Sequence, residues 1–212
     1  MSANQIPLAL RFPADQRLDR YVGAPEALLD ALANLATRQG ADWIYLSGPA
    51  GSGKTHLCLA TCAEAGAAGR AVAYFPLAAL AGRLQAALAG ELNAALLVLD
   101  GLDAVAGVEA DEVAVFDFHN RARSAGASVL YTGSVDPMSL PLQLPDLRSR
   151  LAQCVRFPLA PLDDAGRREV LRQRARARGL GLDDAVLDWM LSRVGRDLGT
   201  LGALLDRLDR ES

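Results

Sequence analysis

The sequence predicts an α/β protein, with a parallel five-stranded sheet flanked by helices and a small C-terminal helical lid. Short apolar runs alternate with helical segments, the first run ends in a glycine-rich loop, and only helical segments follow Pro161. Because strands that alternate with helices form parallel sheets with right-handed crossovers, a layered α/β base is expected. We assign residues 1–15 to a flexible N-terminal tail, 16–160 to the base and 161–212 to the lid.

Each predicted strand is a short run rich in apolar residues. The five strands are expected at 43–47, 71–75, 94–99, 128–132 and 155–157. The run at 94–99 is apolar throughout, which is typical of a strand buried on both faces. Helices are expected in the base at 26–36, from Lys54, at 77–88 and at 111–124, and in the lid at 163–178, 183–193 and 197–210. Each lid helix opens near an aspartate and carries arginine toward its end, which complements the helix dipole.

Composition excludes several classes of protein. A chain of 212 residues with 51% hydrophobic and 22% charged residues is ordinary for a soluble globular protein. The net charge of −3 argues against a protein that coats nucleic acid or binds DNA strongly by itself. The three cysteines form no C-x-x-C pair, and their odd number fits a reducing compartment. No signal peptide or membrane-spanning run is visible, so we expect a cytoplasmic protein.

The most informative residue is Lys54, which is the single lysine among 22 Lys and Arg residues. It lies in the segment 48–55, GPAGSGKT, a complete G-x-x-x-x-G-K-[ST] phosphate-binding loop between a predicted strand and a predicted helix. Backbone N–H groups of such a loop cradle phosphates, and a compact ammonium reaches between the β- and γ-phosphates. The predicted nucleotide-binding residues here are Val22, Gly48, Pro49, Ala50, Gly51, Ser52, Gly53, Lys54, Thr55 and His56.

A second acidic site follows the apolar run at 94–99. Asp100 stands where nucleotide-binding proteins of this type hold Mg²⁺ through water, so Thr55 and Asp100 form the predicted metal pair. The alternative is an ordinary loop aspartate. Self-sufficient ATPases carry an acidic residue next, which orients the attacking water, whereas Gly101 has no side chain and Asp103 lies three residues after Asp100. We therefore expect binding of ATP or ADP with Mg²⁺ but weak or absent ATP hydrolysis.

Three further polar positions are candidates for contact with phosphates. Ser134, with Thr132 as the second choice, follows a predicted strand and could touch the γ-phosphate; the alternative is simple turn chemistry. Arg150, with Arg148 as its rival, lies on a short helix after a proline turn and could reach a neighbour's nucleotide; the alternative is a solvated arginine. Arg196, at the start of the last lid helix, could fold back on the bound nucleotide or remain a surface charge.

The N-terminal tail contains the peptide QIPLAL at positions 5–10. Alternating apolar residues on a tail too short to fold alone suggest recognition of the peptide by a groove on another protein. The residues that would occupy this groove are Gln5, Ile6, Leu8 and Leu10. The alternative is a strand that packs on its own domain.

The phosphate loop and the acidic strand end, together with QIPLAL, the helix FDFHNR at 116–121, Thr132-Gly133 and the segment 144–151, resemble the AAA+ family and its DnaA-related group. This resemblance implies that Arg150 is an arginine finger acting in trans and that Arg196 is the sensor-II arginine of the lid. It also implies that QIPLAL is the hexapeptide that binds the sliding clamp of the replicative polymerase.

The resemblance further implies a negative regulator of chromosome replication initiation. Its implied partners are the initiator DnaA and the polymerase III sliding clamp, the β subunit, and a homo-oligomer is compatible with the family's head-to-tail contacts. The implied reaction is hydrolysis of DnaA-bound ATP, promoted by Arg150. The alternatives are a helicase loader, a DnaA-like initiator and an independent ATPase.

Overall fold

A computed structural model describes residues 16–38, 42–90, 92–177 and 179–193. Five strands form one sheet in the order β2-β3-β4-β1-β5, and every neighbouring pair is parallel. The strands are β1 (Trp43–Ser47), β2 (Val72–Pro76), β3 (Leu96–Asp100), β4 (Ser128–Gly133) and β5 (Val155–Pro158). The predicted fold class is therefore confirmed.

Helices cover both faces of the sheet. In the described ranges the α-helices are α1 (Glu26–Thr37), α2 (Lys54–Ala67), α3 (Leu84–Leu88), α4 (Glu109–Ser124), α5 (Pro145–Ala152), α6 (Asp164–Ala177) and α7 (Asp184–Arg193). Three 3₁₀ turns lie at Leu18–Arg20, Leu77–Leu80 and Leu102–Ala104. None of the described helices combines the length and the apolar character needed to cross a bilayer.

Two hydrophobic cores lie on opposite faces of the sheet because successive strand residues point to opposite sides. In β3, Leu96 and Val98 pack with helices α1 and α2. Leu97 and Leu99 pack on the other face, among residues of α3, α4 and α5. All four leucine and valine side chains are fully buried, as the uninterrupted apolar run predicts for an interior parallel strand.

One predicted helix is divided. The apolar segment at 77–88 forms a 3₁₀ turn, Leu77–Leu80, and then the short helix α3. Gly82 lies between them with φ +77°, a left-handed conformation that a continuous helix cannot contain. The hydrophobic pattern alone did not reveal this break, because Leu77, Leu84 and Leu88 lie at helical spacing and are buried although the helix is divided.

The lid packs through its own small core. Leu171 and Ala175 of α6 contact Leu187 and Met190 of α7, and all four are buried. The predicted third lid helix at 197–210 lies outside the described residues. The parallel register puts Ser47 beside Gly133 and Leu99 beside Tyr131, so the ends of β1, β3 and β4 share one edge of the sheet. This edge carries the predicted nucleotide-binding loop and Asp100.

Candidate nucleotide site and arginine cleft

The phosphate-binding loop connects β1 to α2, as its sequence predicts. Gly53 precedes the helix with φ +87°, and a Cβ atom there would lie 2.5 Å from Cε2 of Tyr21. The Tyr21 hydroxyl donates a 2.5 Å hydrogen bond to the Ser52 carbonyl. Glycine is therefore required at position 53 both by backbone conformation and by the aromatic ring that covers the loop.

Lys54 folds into the concave side of this loop. Its Nζ donates hydrogen bonds to the carbonyl oxygens of Gly48 at 2.5 Å and Pro49 at 2.9 Å. Burial lowers the pKa of Lys54, while the nearby Asp103 and Asp100 carboxylates oppose that shift. The ammonium therefore lies where the loop motif requires it, with loop carbonyls as partners that phosphate oxygens could replace.

Thr55 and Asp100, the predicted metal pair, are in direct contact. The Thr55 hydroxyl donates to Asp100 Oδ2 at 2.7 Å, although the two residues are 45 positions apart. Tyr74 donates to the same oxygen at 2.9 Å, and Thr132 donates to Oδ1 at 2.6 Å. These oxygens are the hard ligands that Mg²⁺ prefers, and Mg²⁺ usually takes only one or two carboxylates plus substrate phosphates. The described residues include no cluster of three or more His, Cys, Asp or Glu that could hold a metal ion.

Asp103 lies in the 3₁₀ turn Leu102–Ala104, and its carboxylate contacts Ser134, the residue that follows β4. Its carboxylate accepts the Ser134 backbone N–H at 2.8 Å and also a hydrogen bond from the Ser134 hydroxyl. Ser134, the first candidate for γ-phosphate contact, therefore has its hydroxyl engaged by an anion. Thr132, the second candidate, has its hydroxyl committed to Asp100 and to the N–H of Gly101.

Gly101 leaves the position after Asp100 without a functional group. Its backbone has φ +89°, which favours glycine, and a Cβ atom there would meet nothing within 4 Å. The space beside Asp100 is therefore open, and no carboxylate from position 101 can orient water in it.

A cavity of about 390 Å³ lies between the loop and the lid. The predicted residues Val22 and His56 line it together with loop residues Ala50 to Thr55. Its other lining residues are Arg20, Tyr21, Leu162, Val170, Gln173 and Arg174. The volume is in the range of small-molecule sites, and the apolar wall formed by Val22, Leu162 and Val170 suits a planar base.

A second cleft, also about 390 Å³, contains Arg150 and lies at the opposite edge of the sheet. We call it the arginine cleft; its lining residues are Asp42, Trp43, His119, Arg123, Arg150, Gln153, Cys154 and Val155. Trp43 and Val155 begin β1 and β5, whereas the phosphate loop follows the end of β1. Arg150 is thus separated from its own chain's phosphate loop by the length of the strands.

The two arginines of α5 have different surroundings. The Arg148 guanidinium donates to the carbonyl of Leu142, in the loop before its own helix. The Arg150 guanidinium forms no hydrogen bond with a described residue. Apart from the helix ladder, Arg150 forms hydrogen bonds only through its backbone carbonyl. The guanidinium that is free to contact another molecule is therefore that of Arg150.

His119 forms the floor of the arginine cleft, although its sequence context indicates neither catalysis nor metal binding. Its Nδ1 lies 3.1 Å from the Tyr131 hydroxyl, and its ring centroid is 4.4 Å from that of Trp43. Burial, assisted by the positive charges of Arg150 and Arg123, lowers the pKa of His119 to about 4. The imidazole is consequently neutral near pH 7. The remaining predicted site residues, Gln5, Ile6, Leu8, Leu10 and Arg196, lie outside the described residues.

Comparison with known proteins adds two family matches. Residues 13–133, more than half of the chain, match the family described as IstB-like ATP binding protein. The chain belongs to this family. Residues 164–212 match the family described as Hda, lid domain. The chain is therefore a DnaA-related AAA+ protein close to Hda, as the sequence motifs predict.

Solved structures show the same fold. Domain III of the Thermotoga maritima replication initiation protein DnaA has a TM-score of 0.78 at 20% identity, over 94% of this chain and 90% of that one. AMPPCP-bound DnaA from Aquifex aeolicus has a TM-score of 0.70 at 21% identity, over 95% of this chain and 67% of the other. The replication initiator DnaA bound to AMPPCP and single-stranded DNA has a TM-score of 0.74 at 18% identity, over 93% of this chain. The present chain spans 66% of the length of that last structure.

Proposed function

We propose that this protein is a replication regulator that binds an adenine nucleotide and promotes the hydrolysis of ATP bound to a DnaA-type initiator. The observation that carries the proposal is the position of Arg150. Its guanidinium has no acceptor among the described residues and lies at the sheet edge opposite its own phosphate loop. A cation arranged in this way can act on a triphosphate only if another molecule supplies that triphosphate.

The chemistry of the proposed reaction fits a guanidinium. Charge accumulates on the oxygens of the transferring phosphoryl group, and an arginine supplied in trans stabilises that charge. Trp43 and Gln153 line the same cleft and would form part of the surface that meets the partner. Arg123 adds a second positive charge there, which favours an anionic ligand.

The chain's own nucleotide would have a structural role. Lys54 and the loop amides would hold its phosphates, Thr55 and Asp100 its Mg²⁺, and bound Mg²⁺ would neutralise phosphate charge. Gly101 contributes no group that could orient water, and Asp103 is engaged by Ser134. Both features support a protein whose own ATP hydrolysis is weak or absent, with either ADP or ATP as the bound form.

The proposed partners follow from the family and from the tail. The Hda-type lid supports a role in replication and an interaction with DnaA. The QIPLAL peptide would tether the chain to the polymerase III sliding clamp through Gln5, Ile6, Leu8 and Leu10. Tethering would concentrate the protein at newly copied DNA, where inactivation of DnaA prevents a second initiation. We expect it to act in the cytoplasm, with Arg196 contacting the bound nucleotide from the lid.

The test is single-turnover hydrolysis of DnaA-bound ATP, measured with the full chain, with and without clamp loaded on DNA. Acceleration that requires both the chain and the loaded clamp is expected. Gln5→Ala should weaken clamp binding and abolish the clamp-dependent acceleration, and it should leave nucleotide affinity unchanged. No acceleration under any of these conditions would refute the proposal, and co-purification with the replicative helicase instead of the clamp would indicate a helicase loader.

A further inference from the structure

Glu112 is a fully buried carboxylate in the first turn of α4. It forms no ion pair with a described residue; its partners are backbone N–H groups. Oε1 accepts from Gly107 at 2.7 Å, Oε2 accepts from Leu144 at 2.7 Å, and Gln143 donates to Oε2 at 2.8 Å. Burial of an ionised carboxylate is costly unless such charge-assisted hydrogen bonds satisfy it.

These hydrogen bonds join two loops with different roles. Gly107 lies at the end of the segment that follows Asp100 and contains the 3₁₀ turn Leu102–Ala104. Gln143 and Leu144 directly precede α5, the helix that carries Arg150. A second link is parallel to the first, because the Gln143 side chain donates to the Gly107 carbonyl at 2.9 Å. Arg148 holds the adjacent Leu142 carbonyl, so the entrance to α5 is fixed from both sides.

We infer that Glu112 is a positioning residue that fixes α5, and with it Arg150, to the segment that follows Asp100. The inference rests on the proposed function of Arg150. An ionised carboxylate only accepts hydrogen bonds, which matches three converging N–H donors, whereas a neutral amide would direct its own NH₂ group at some of them. Through this residue, the loop beside the chain's own Mg²⁺ ligands and the helix that faces the partner form one unit.

Hydrogen exchange tests the positioning without the reaction. In the full chain, Glu112→Gln should speed exchange of the Gln143 and Leu144 amides about tenfold or more, while amides of β3 and β4 keep their rates. Glu109→Gln is the matched control, because Glu109 is an exposed glutamate in the first turn of the same helix. It should leave all these rates unchanged. Unchanged exchange at Gln143 and Leu144 in Glu112→Gln would overturn the inference.

Stimulation of DnaA tests the consequence for Arg150. Because displacement of a catalytic group by about 1 Å can cost about 10²-fold in rate, Glu112→Gln should lower the stimulated rate at saturating protein by about tenfold or more. The affinity for ADP should stay within about twofold, and Glu112→Asp, which keeps the charge, should recover part of the rate. Parallel loss of ADP affinity and stimulation would instead indicate general destabilisation and overturn the inference.

A second variant covers the case in which Glu112→Gln does not fold. Gln143→Ala removes only the exposed side-chain link to Gly107 and should lower stimulation about two- to fivefold at constant ADP affinity; wild-type stimulation would count against the inference. If the unaltered chain fails to stimulate DnaA at all, the proposed function is wrong. The exchange rates of Gln143 and Leu144 then still decide whether Glu112 positions α5.

Discussion

The nucleotide pocket and the arginine cleft are equal in volume, about 390 Å³ each, but their charged groups differ in what satisfies them. Around the phosphate loop, Lys54 is bound by loop carbonyls and Asp100 by three hydroxyls. In the arginine cleft, no described residue accepts a hydrogen bond from the side chain of Arg150 or Arg123, and their backbone carbonyls accept only from residues at the ends of their own helices. In the nucleotide pocket, a bound ligand could replace the present partners of Lys54 and Asp100. In the arginine cleft, the Arg150 guanidinium has no described acceptor, so an anionic group of another molecule could bind it directly.

The largest expected effect is that of Arg150→Ala. Arginine fingers contribute roughly 10³–10⁵ in rate, so the variant should lose at least about 10³-fold of the stimulated hydrolysis of DnaA-bound ATP. Its fold, nucleotide affinity and clamp binding should be unchanged, because no described acceptor loses a bond from this guanidinium. Single-turnover hydrolysis measures the loss of stimulation, and isothermal calorimetry measures the affinities for nucleotide and clamp.

Two other arginines are controls for that comparison. Arg156→Ala removes an exposed ion pair with Asp136 outside both clefts and should leave stimulation within about twofold. Arg148→Ala removes the hydrogen bond to Leu142 at the entrance to α5, so it should lower stimulation only severalfold, far less than Arg150→Ala. If Arg148→Ala abolishes stimulation in a stably folded protein while Arg150→Ala does not, the finger has been assigned to the wrong arginine.

The next effect concerns pH, because the arginine cleft contains a buried histidine whose pKa lies well below its ordinary value. With a folded-state pKa of about 4 against an ordinary value of 6.5, His119 binds its proton more readily in the unfolded chain. Its contribution to stability is therefore present above pH 6.5 and is lost as the pH falls toward 4. Between pH 7 and pH 5 this costs about 2 kcal/mol of unfolding free energy.

NMR titration measures the pKa of His119 directly. The signals are simple to assign because the chain contains only two histidines, His56 and His119. The variant His119→Gln identifies the signal. Arg123→Gln removes one of the positive charges that lower the pKa of His119 and should raise that pKa. A His119 signal that titrates near pH 6.5 would mean that the cleft is more open to water than its burial indicates.

The sequence predicted the nucleotide site better than the arginine cleft, and the reason is physical. The phosphate loop is a local motif, and Asp100 meets Thr55 because parallel strands bring their ends to one edge whatever the intervening sequence. Tyr74 was missed because a tyrosine in an apolar strand is indistinguishable from a core residue until its hydroxyl is seen on Asp100. Tyr21 was missed for a similar reason, since the ring covers a loop about 30 residues away, a packing that no spacing encodes.

The arginine cleft could be predicted only in part. The helix at 145–152 and its two arginines were visible, but the choice between Arg148 and Arg150 depends on which guanidinium folds back on Leu142. Glu112 was indistinguishable from an acidic residue of the first helical turn, where helix dipoles favour such side chains. Its burial depends on the loop just before its own helix and on the distant loop before α5, which only the tertiary structure brings together.

A smaller effect is expected at the nucleotide pocket, from Asp103→Asn. The change keeps the size of the side chain and an oxygen for the Ser134 N–H, but removes a negative charge near Lys54. Because like charges repel, a third phosphate should gain more from this change than a second one. Affinity for ATP should rise about tenfold while affinity for ADP stays within about twofold, as measured by calorimetry with Mg²⁺. Equal changes for ADP and ATP would show that Asp103 does not face the γ-phosphate position.

The smallest effect is expected from Gly101→Ala, which tests whether the missing side chain after Asp100 reflects backbone conformation or function. A Cβ atom at this position would meet nothing within 4 Å, so any cost comes from φ +89°. Left-handed backbone costs a non-glycine residue about 1–2 kcal/mol, and urea unfolding should show a loss of that size. Gly66→Ala is the matched control: it also has open space but lies in α2 without a positive φ, and it should gain about 0.5–1 kcal/mol. If the two variants unfold at the same urea concentration, backbone conformation is not what keeps glycine at position 101, and the absence of a water-orienting carboxylate there would have to be explained by function alone.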